Sequence, residues 1–583
     1  MKSLLLLPMT VVVFLGCSNH SDRILTQAPQ TENELGFLVA GSTLEEKESF
    51  FNSNTDVKIR DISNETILMF EAVNTDFETV RKSFPNSRIY KNKFIKYADS
   101  GFKDFTLQSL TELQLLNSTD VSKSAFDLNS CKDQSLKPIA KMTPITANLS
   151  SRIPLEVGAQ IKLGSDQSQP HAFVGGEIKT AWVIQGPLGT NVAEISISKN
   201  LDIKLDTMGV YQIYLIVQDQ KLNCQFENVN LSVTGNKPYM LSSASSLDPK
   251  VKNQEYIIKL GLDKAHQSSS GENVLIAIVD SGVNYNNPYL SENIYTNKME
   301  IPDNNIDDDT NGLIDDVHGW DFVFNDKFPY DDLGHGTHVA GLAAAKVFGV
   351  APNATILPIK AGNNFGMLDI GTTFKAIIYA IKMKADIINL SLGSERPVFR
   401  EELELYQLAL SNDTLIVAAA GNGEPSRQGL YLGVDIDNRS FAPAGVDFEN
   451  ILTVASLSTK DNLAYYSNFG VRKTSVATYG GEDFDLDSNT PYNGQLYSTY
   501  IENAKGLLLF PQQGTSMATP VASGIAALVR SINPNLTAGQ TNKLLEASGV
   551  QSNQLSRKIR SGRVLTAQSA VEMALQSSIG LIN

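Results

Sequence analysis

Residues 511–524 read PQQGTSMATPVASG. Within them Gly514-Thr515-Ser516-Met517-Ala518-Thr519-Pro520 sets a serine between a glycine turn and an apolar run that predicts a helix over 517–532. A serine at such a start sits among unpaired backbone N–H groups, at the positive end of the helix dipole. That field would stabilise the oxyanion formed when the serine attacks a carbonyl. An ordinary capped helix is the other reading, because Ser and Thr are common N-caps.

Upstream segments weigh on this choice. Residues 271–285 read GENVLIAIVDSGVNY; Val274 to Val279 is a continuous apolar run that suits a strand buried on both faces. Asp280 ends it, and an aspartate at the carboxyl end of a parallel strand is where open α/β sheets place their chemistry, although an Asp opening a turn is common. Residues 333–345, LGHGTHVAGLAAA, open a small-residue helix with His335 between two glycines and His338 one turn on. Residues 414–423, TLIVAAAGNG, give a buried strand followed by Asn422, which standing alone is an Asn in a Gly-rich turn.

In the order Asp280, His335, Ser516, these segments resemble the subtilisin-like serine proteases (subtilases). The resemblance implies an Asp–His–Ser triad. His335 would be the base, Asp280 would orient its imidazole, and Ser516 would be the nucleophile. His338 would be a packed structural residue. It further implies that Asn422 and the Ser516 N–H form the oxyanion hole, where one donor is worth about 3–4 kcal/mol of transition-state stabilisation. Residues 385–393, ADIINLSLG, resemble the cleft-lining segment, so Ser391, Leu392 and Gly393 would offer backbone groups to an extended peptide. Residues 362–369, GNNFGMLD, resemble the opposite cleft edge, and Ala419 and Gly421 would wall the primary specificity pocket. DIDNRSFAPA at 435–444 and YSNFG at 466–470 are further landmarks, so the resemblance runs from about Glu255 to about Ala570. Two departures stand out. Pro520 is followed by Val521-Ala522-Ser523-Gly524 where many relatives have His-Val-Ala-Gly, and residues 476–480, VATYG, lack the usual Ala-Pro-Gly.

Between Asp280 and His335 lies an acidic loop, DNNIDDDTNGLIDDVHGWDF at 303–322. Alternating oxygen donors with a glycine after the third suggest calcium held by Asp307, Asp309, Asn311, the Leu313 carbonyl and Asp316; a solvated acidic loop is the alternative. The ion would be structural, and the catalysis would need no cofactor.

The chain has 583 residues and a formal net charge of −15, which argues against nucleic acid or an anionic membrane surface as partner. Met1 to Gly16 read as a signal peptide. Phe14-Leu15-Gly16-Cys17 resembles a bacterial lipobox, so Cys17 would be lipidated, residues 17–34 would form a tether, and the protein would be an exported cell-envelope lipoprotein, a plain secretory signal being the alternative. Cys131 and Cys224 would form a disulfide in an oxidising compartment, two free thiols being the alternative.

Residues 35–100 read as strand, helix, strand, strand, helix, strand, with helices at 44–51 and 77–84. They resemble the α+β propeptide of subtilases, which implies a zymogen and an intramolecular partner for the cleft. Residues 130–235 are β-rich, with apolar and polar positions alternating at 193–197, 202–205 and 229–233; with Trp182 as core and Tyr211 as a tyrosine corner they resemble an immunoglobulin-like sandwich of the polycystic-kidney-disease type. A linker at 236–254 leads into a catalytic domain at 255–583. The expected fold class is therefore α/β, a doubly wound, mostly parallel sheet of the seven-stranded type. The expected activity is peptide-bond hydrolysis on protein or peptide substrates. Self-cleavage in a linker would free the protease from its anchor. A binding module with a silent protease fold is the rival; a lipase would want Gly-x-Ser-x-Gly, which Ser516 lacks.

Overall fold

The computed structural model describes residues 254–578, apart from 303, 364–365, 427–429, 487–489 and 502–508, together with strands within 37–97 and parts of 140–234. The expected signal peptide, tether and Cys17 lie outside the described residues. So do Cys131 of the expected disulfide, the linker before Gln254 and the two helices expected at 44–51 and 77–84.

The chain folds as two compact units. In the first, Phe37–Ala40, Val57–Asp61, Ile67–Ala72 and Arg88–Lys91 form an antiparallel sheet in the spatial order second, third, first, fourth. The same unit contains a five-stranded and a three-stranded sheet that share one core. Ile161, Leu163, Leu201 and Leu205 from the smaller sheet meet Trp182, Ile213, Leu215 and Leu231 from the larger. In Gly209–Gln218 the residues Tyr211, Ile213, Leu215 and Val217 alternate into that core, as the period of a strand requires.

The second unit is built on a nine-stranded sheet. Leu275–Asp280 lies between Thr355–Lys360 and Ile387–Leu390, and the sheet continues in parallel through Leu415–Ala419, Ile451–Leu457 and Val476–Tyr479. Of the later strands, Thr355–Lys360 joins 275–280 on one side and Ile387–Leu390 joins it on the other. That reversal opens a crevice at the carboxyl ends of the strands. The apolar run at 415–419 is buried throughout, as is the strand at 387–390 with Asn389 within it, as a sheet covered on both faces demands. The sheet exceeds the seven strands expected because two-residue strands, Trp320–Asp321 and Val550–Gln551, extend its edges; the last pairs antiparallel with Arg563–Val564.

The helix Thr515–Ile532 is buried from Thr515 to Arg530, so its all-round apolar character fits a helix threaded through a core. It begins two residues before the expected Met517, after Gly514 at φ 153°. Pro520 lies inside it. Proline has no N–H, so the Ser516 carbonyl, four residues earlier, loses its intrahelical donor.

Candidate active site

Asp280 ends the strand at the sheet reversal, and His335 opens the helix His335–Ala344. Their side chains meet in the fully buried interior, with His335 Nδ1 2.7 Å from Asp280 Oδ1. With Nδ1–H donating to the carboxylate, Nε2 is the basic nitrogen of the neutral ring. Burial pushes the Asp280 carboxyl up, while the His335 ring and the Ser281 N–H, at 2.7 Å, favour its charged form. Glycine at 336 permits this approach, since a Cβ there would stand 2.1 Å from the Gly282 carbonyl oxygen.

A second carboxylate fixes the pair from behind. Asp331 Oδ1 accepts from Ser281 Oγ at 2.8 Å and from the Gly334 N–H at 2.8 Å. Its Oδ2 accepts from the Thr337 N–H at 2.8 Å and from Thr337 Oγ1 at 2.6 Å. Ser281 Oγ in turn accepts from the Gly336 N–H at 2.9 Å. The buried Lys360 ammonium donates to Asp332 at 2.6 Å and to the Ser281 carbonyl at 2.7 Å. Burial works against its charge, but Asp332, Asp321 and Asp331 outweigh burial and raise its pKa.

His338 is a packed residue, as expected. Its Nε2 faces the carbonyls of Leu496 at 3.1 Å and Phe510 at 3.0 Å, which lie on a two-stranded hairpin. Burial, then the charge of His335, pushes its pKa down to about 3, so the ring is neutral at working pH.

Ser516 is fully buried near the start of its helix, which packs against the helix that His335 opens. Its Oγ donates to the Ser391 carbonyl at 3.0 Å, and Ser391 Oγ donates to the Ser516 carbonyl at 2.8 Å. Asn422 Oδ1 accepts from the Thr515 N–H at 2.9 Å and from Thr515 Oγ1 at 2.8 Å. Its Nδ2 is buried with no hydrogen-bond partner among the described residues. Thr515 Oγ1 also accepts from the Gly421 N–H at 3.1 Å, tying the turn after the 415–419 strand to the start of the Ser516 helix. Ala419, the last residue of that strand, and Gly421, in the turn, are both buried. A Cβ on Gly421 or Gly393 would approach the Phe441 ring to 3.0 Å or less, so one aromatic ring lies against both predicted cleft positions.

The cleft edges are strands. Met367–Asp369, within the loop expected to form one edge, and Leu392–Glu395 on the other both pair antiparallel with Phe94–Tyr97. Lys96 is opposite both Met367 and Gly393, Ile95 is opposite Leu368, and Tyr97 is opposite Leu392. This is strand addition by an extended segment, with backbone groups of both edges as its partners.

In the acidic loop, oxygen atoms of Glu300, Asp307 and Asp309 lie within 4.8 Å of one another, a cluster that could hold a metal ion. Asn311 Nδ2 donates to Asp309 and Asp316, each at 3.0 Å, and Asn311 Oδ1 accepts from the Leu313 N–H at 2.8 Å. Burial pushes the Asp316 carboxyl up to about 6, opposed by the Tyr379 hydroxyl and Asn311 and reinforced by Asp309 and Glu300. The predicted Asp316 thus stands beside the three-carboxylate cluster, and Glu300 takes a place within it.

The sequence model of the subtilase family matches residues 271–562, half of the chain. The chain belongs to the subtilase family. Among its relatives, subtilisin-like protease 1 of Plasmodium berghei is 30% identical over 385 residues, 62% of either chain. Thermitase of Thermoactinomyces vulgaris is 32% identical over 295 residues, 49% of this subtilase and 85% of thermitase. A solved protease from Pseudoalteromonas arctica is 26% identical with a TM-score of 0.43, covering 56% of this chain and 98% of that one. The chain spans less than two thirds of the first relatives it matches, 62% and 44% of their lengths.

Three site residues of this subtilase escaped the sequence reading: Glu300, Asp331 and Lys360. Asp331 carried a usable signal, a carboxylate just ahead of a helix start. Lys360 carried none, as a lone charge in an apolar stretch, and Glu300 lies just ahead of the acidic loop, outside its alternating pattern of oxygen donors.

Proposed function

We propose that this subtilase is a serine endopeptidase acting on protein or peptide substrates through Asp280, His335 and Ser516. His335 Nε2 takes the Ser516 Oγ proton as the hydroxyl attacks the scissile carbonyl, and Asp280 stabilises the imidazolium. The tetrahedral oxyanion is held by Asn422 Nδ2 and the Ser516 N–H. His335 then protonates the leaving amine, and water cleaves the acyl-enzyme by the same base. The observation that carries this reading is the Asn422 amide. Its oxygen is held by Thr515, next to the nucleophile, while its buried N–H group has no other occupation. Replacement of Ser516 by alanine is expected to abolish hydrolysis of a peptide library at unchanged melting temperature; retained hydrolysis would overturn the reading.

The zymogen reading belongs to the same proposal. A strand from the N-terminal side of the enzyme lying between both cleft edges supports a propeptide whose end fills the site as substrate does. The spatial order of the four-stranded sheet supports an α+β propeptide for 35–100. The proposal includes an immunoglobulin-like identity for the two-sheet sandwich, export by residues 1–16, lipidation at Cys17 and a Cys131–Cys224 disulfide. N-terminal sequencing of the mature chain tests the maturation step; a start C-terminal to Tyr97 is expected.

Calcium is proposed at Glu300, Asp307 and Asp309, with Asn311, Leu313 and Asp316 completing the loop. The donor set fits, since it is all oxygen and contains neither thiolate nor imidazole. The ion would neutralise the clustered carboxylates and stiffen the loop.

A further inference from the structure

Pro520 removes the i+4 N–H that would serve the Ser516 carbonyl, in a fully buried place where backbone polar groups are costly to leave unserved. The Ser391 hydroxyl fills the gap at 2.8 Å. A hydroxyl has one proton, so it serves the Ser516 carbonyl only while its other polar neighbour donates to it and does not compete for that proton. Asn389 Nδ2 does so, donating to Ser391 Oγ at 3.0 Å. An amide can present either end. With Nδ2 turned to Ser391, Asn389 Oδ1 faces Ser523, whose Oγ carries a single proton and lies 2.9 Å from this acceptor and 3.1 Å from the alternative, the Thr519 carbonyl; donation to Asn389 favours the end presented here. Ser523, Asn389, Ser391 and Ser516 are all at 0% exposure, so water does not compete for these bonds. Ser523 also falls in the segment where the sequence departs from the commoner His-Val-Ala-Gly, at the alanine of that string.

We propose that Ser523 is a positioning residue for the nucleophile: through Asn389 and Ser391 it fixes the Ser516 backbone, and so the direction of the Ser516 hydroxyl. The inference rests on the reading of Ser516 as the nucleophile. Without the Ser523 hydroxyl, Asn389 Oδ1 loses its donor and the amide is free to turn its oxygen toward Ser391. The Ser391 proton then goes to Asn389, and the Ser391–Ser516 bond is lost.

The test is a double-mutant cycle on the full chain with Ser523→Ala, Ser391→Ala and their combination. The readouts are the second-order rate of reaction with a fluorophosphonate, kcat and KM on a tetrapeptide p-nitroanilide, and melting temperature. Loss of one buried hydrogen bond predicts a rate about tenfold lower for Ser523→Ala, in kcat and fluorophosphonate rate and not in KM. The double variant is expected to be no slower than Ser391→Ala alone, because both act on one path. A merely structural serine would lower the melting temperature and leave these rates and their coupling unmoved. Wild-type rates in Ser523→Ala, or losses that multiply in the double variant, would overturn the proposal. A wild-type chain inert to fluorophosphonate would instead overturn the nucleophile assignment.

Discussion

At Asn422 the carbonyl oxygen is tied to Thr515 by two hydrogen bonds, at 2.9 and 2.8 Å, so the orientation of the amide is set. On the proposed mechanism its N–H group is preorganised for charge that develops only in the transition state, which is where a fixed donor contributes most to rate. Asn422→Ala is therefore expected to lower kcat by about 10²–10³-fold with little change in KM. Steady-state kinetics on a peptide amide check this, and an equal rise in KM would assign Asn422 to ground-state binding instead. At Asp280, the bond to His335 fixes the tautomer as well as the position of the ring. Asp280→Asn keeps the volume but presents the wrong partner to Nδ1, and a fall of about 10⁴-fold in kcat is the expected result.

The helix His335–Ala344 holds His335, the proposed base, and His338, a packed residue. His338 joins this helix to the hairpin of Leu496–Thr499 and Leu509–Gln512 through the Leu496 and Phe510 carbonyls. In the unfolded chain the ring takes a proton at about pH 6.5, while in the folded chain it does so only near 3. Between these values the unfolded state binds more protons, so stability falls as pH drops, by up to about 1.4 kcal/mol per pH unit. Thermal unfolding between pH 7 and pH 4 is expected to show this slope. His338→Gln, which keeps an N–H donor without titrating, is expected to flatten it. The elements of this region were legible in the sequence where one physical signal dominated. The runs at 274–279 and 414–419 could only be buried strands, and each was followed by a polar residue at a sheet's carboxyl edge. The Gly362–Asp369 loop and the Ser391–Gly393 segment were legible through resemblance alone; that one segment pairs with both depends on non-local backbone register, which local sequence does not encode. The relay from Ser523 to Ser391 was likewise out of reach, since its residues lie up to 134 positions apart.

On the scale of the whole chain, the acidic loop between Asp280 and His335 concentrates Glu300, Asp307 and Asp309 within 4.8 Å, and their mutual repulsion favours a loosened loop unless a cation is bound. Chelator is expected to lower the melting temperature and speed self-digestion, and calcium is expected to restore both; scanning calorimetry with and without chelator checks this, with no effect of chelator as the opposing result. The central claim is that residues far apart along the chain converge to make one hydroxyl an attacking group. The most direct measurement is fluorophosphonate labelling of the wild-type chain, with the modified peptide identified by mass spectrometry. The label is expected on Ser516 alone, and to be lost when His335 is replaced by alanine. A label elsewhere, or one on Ser516 that persists undiminished without the His335 ring, would contradict the account.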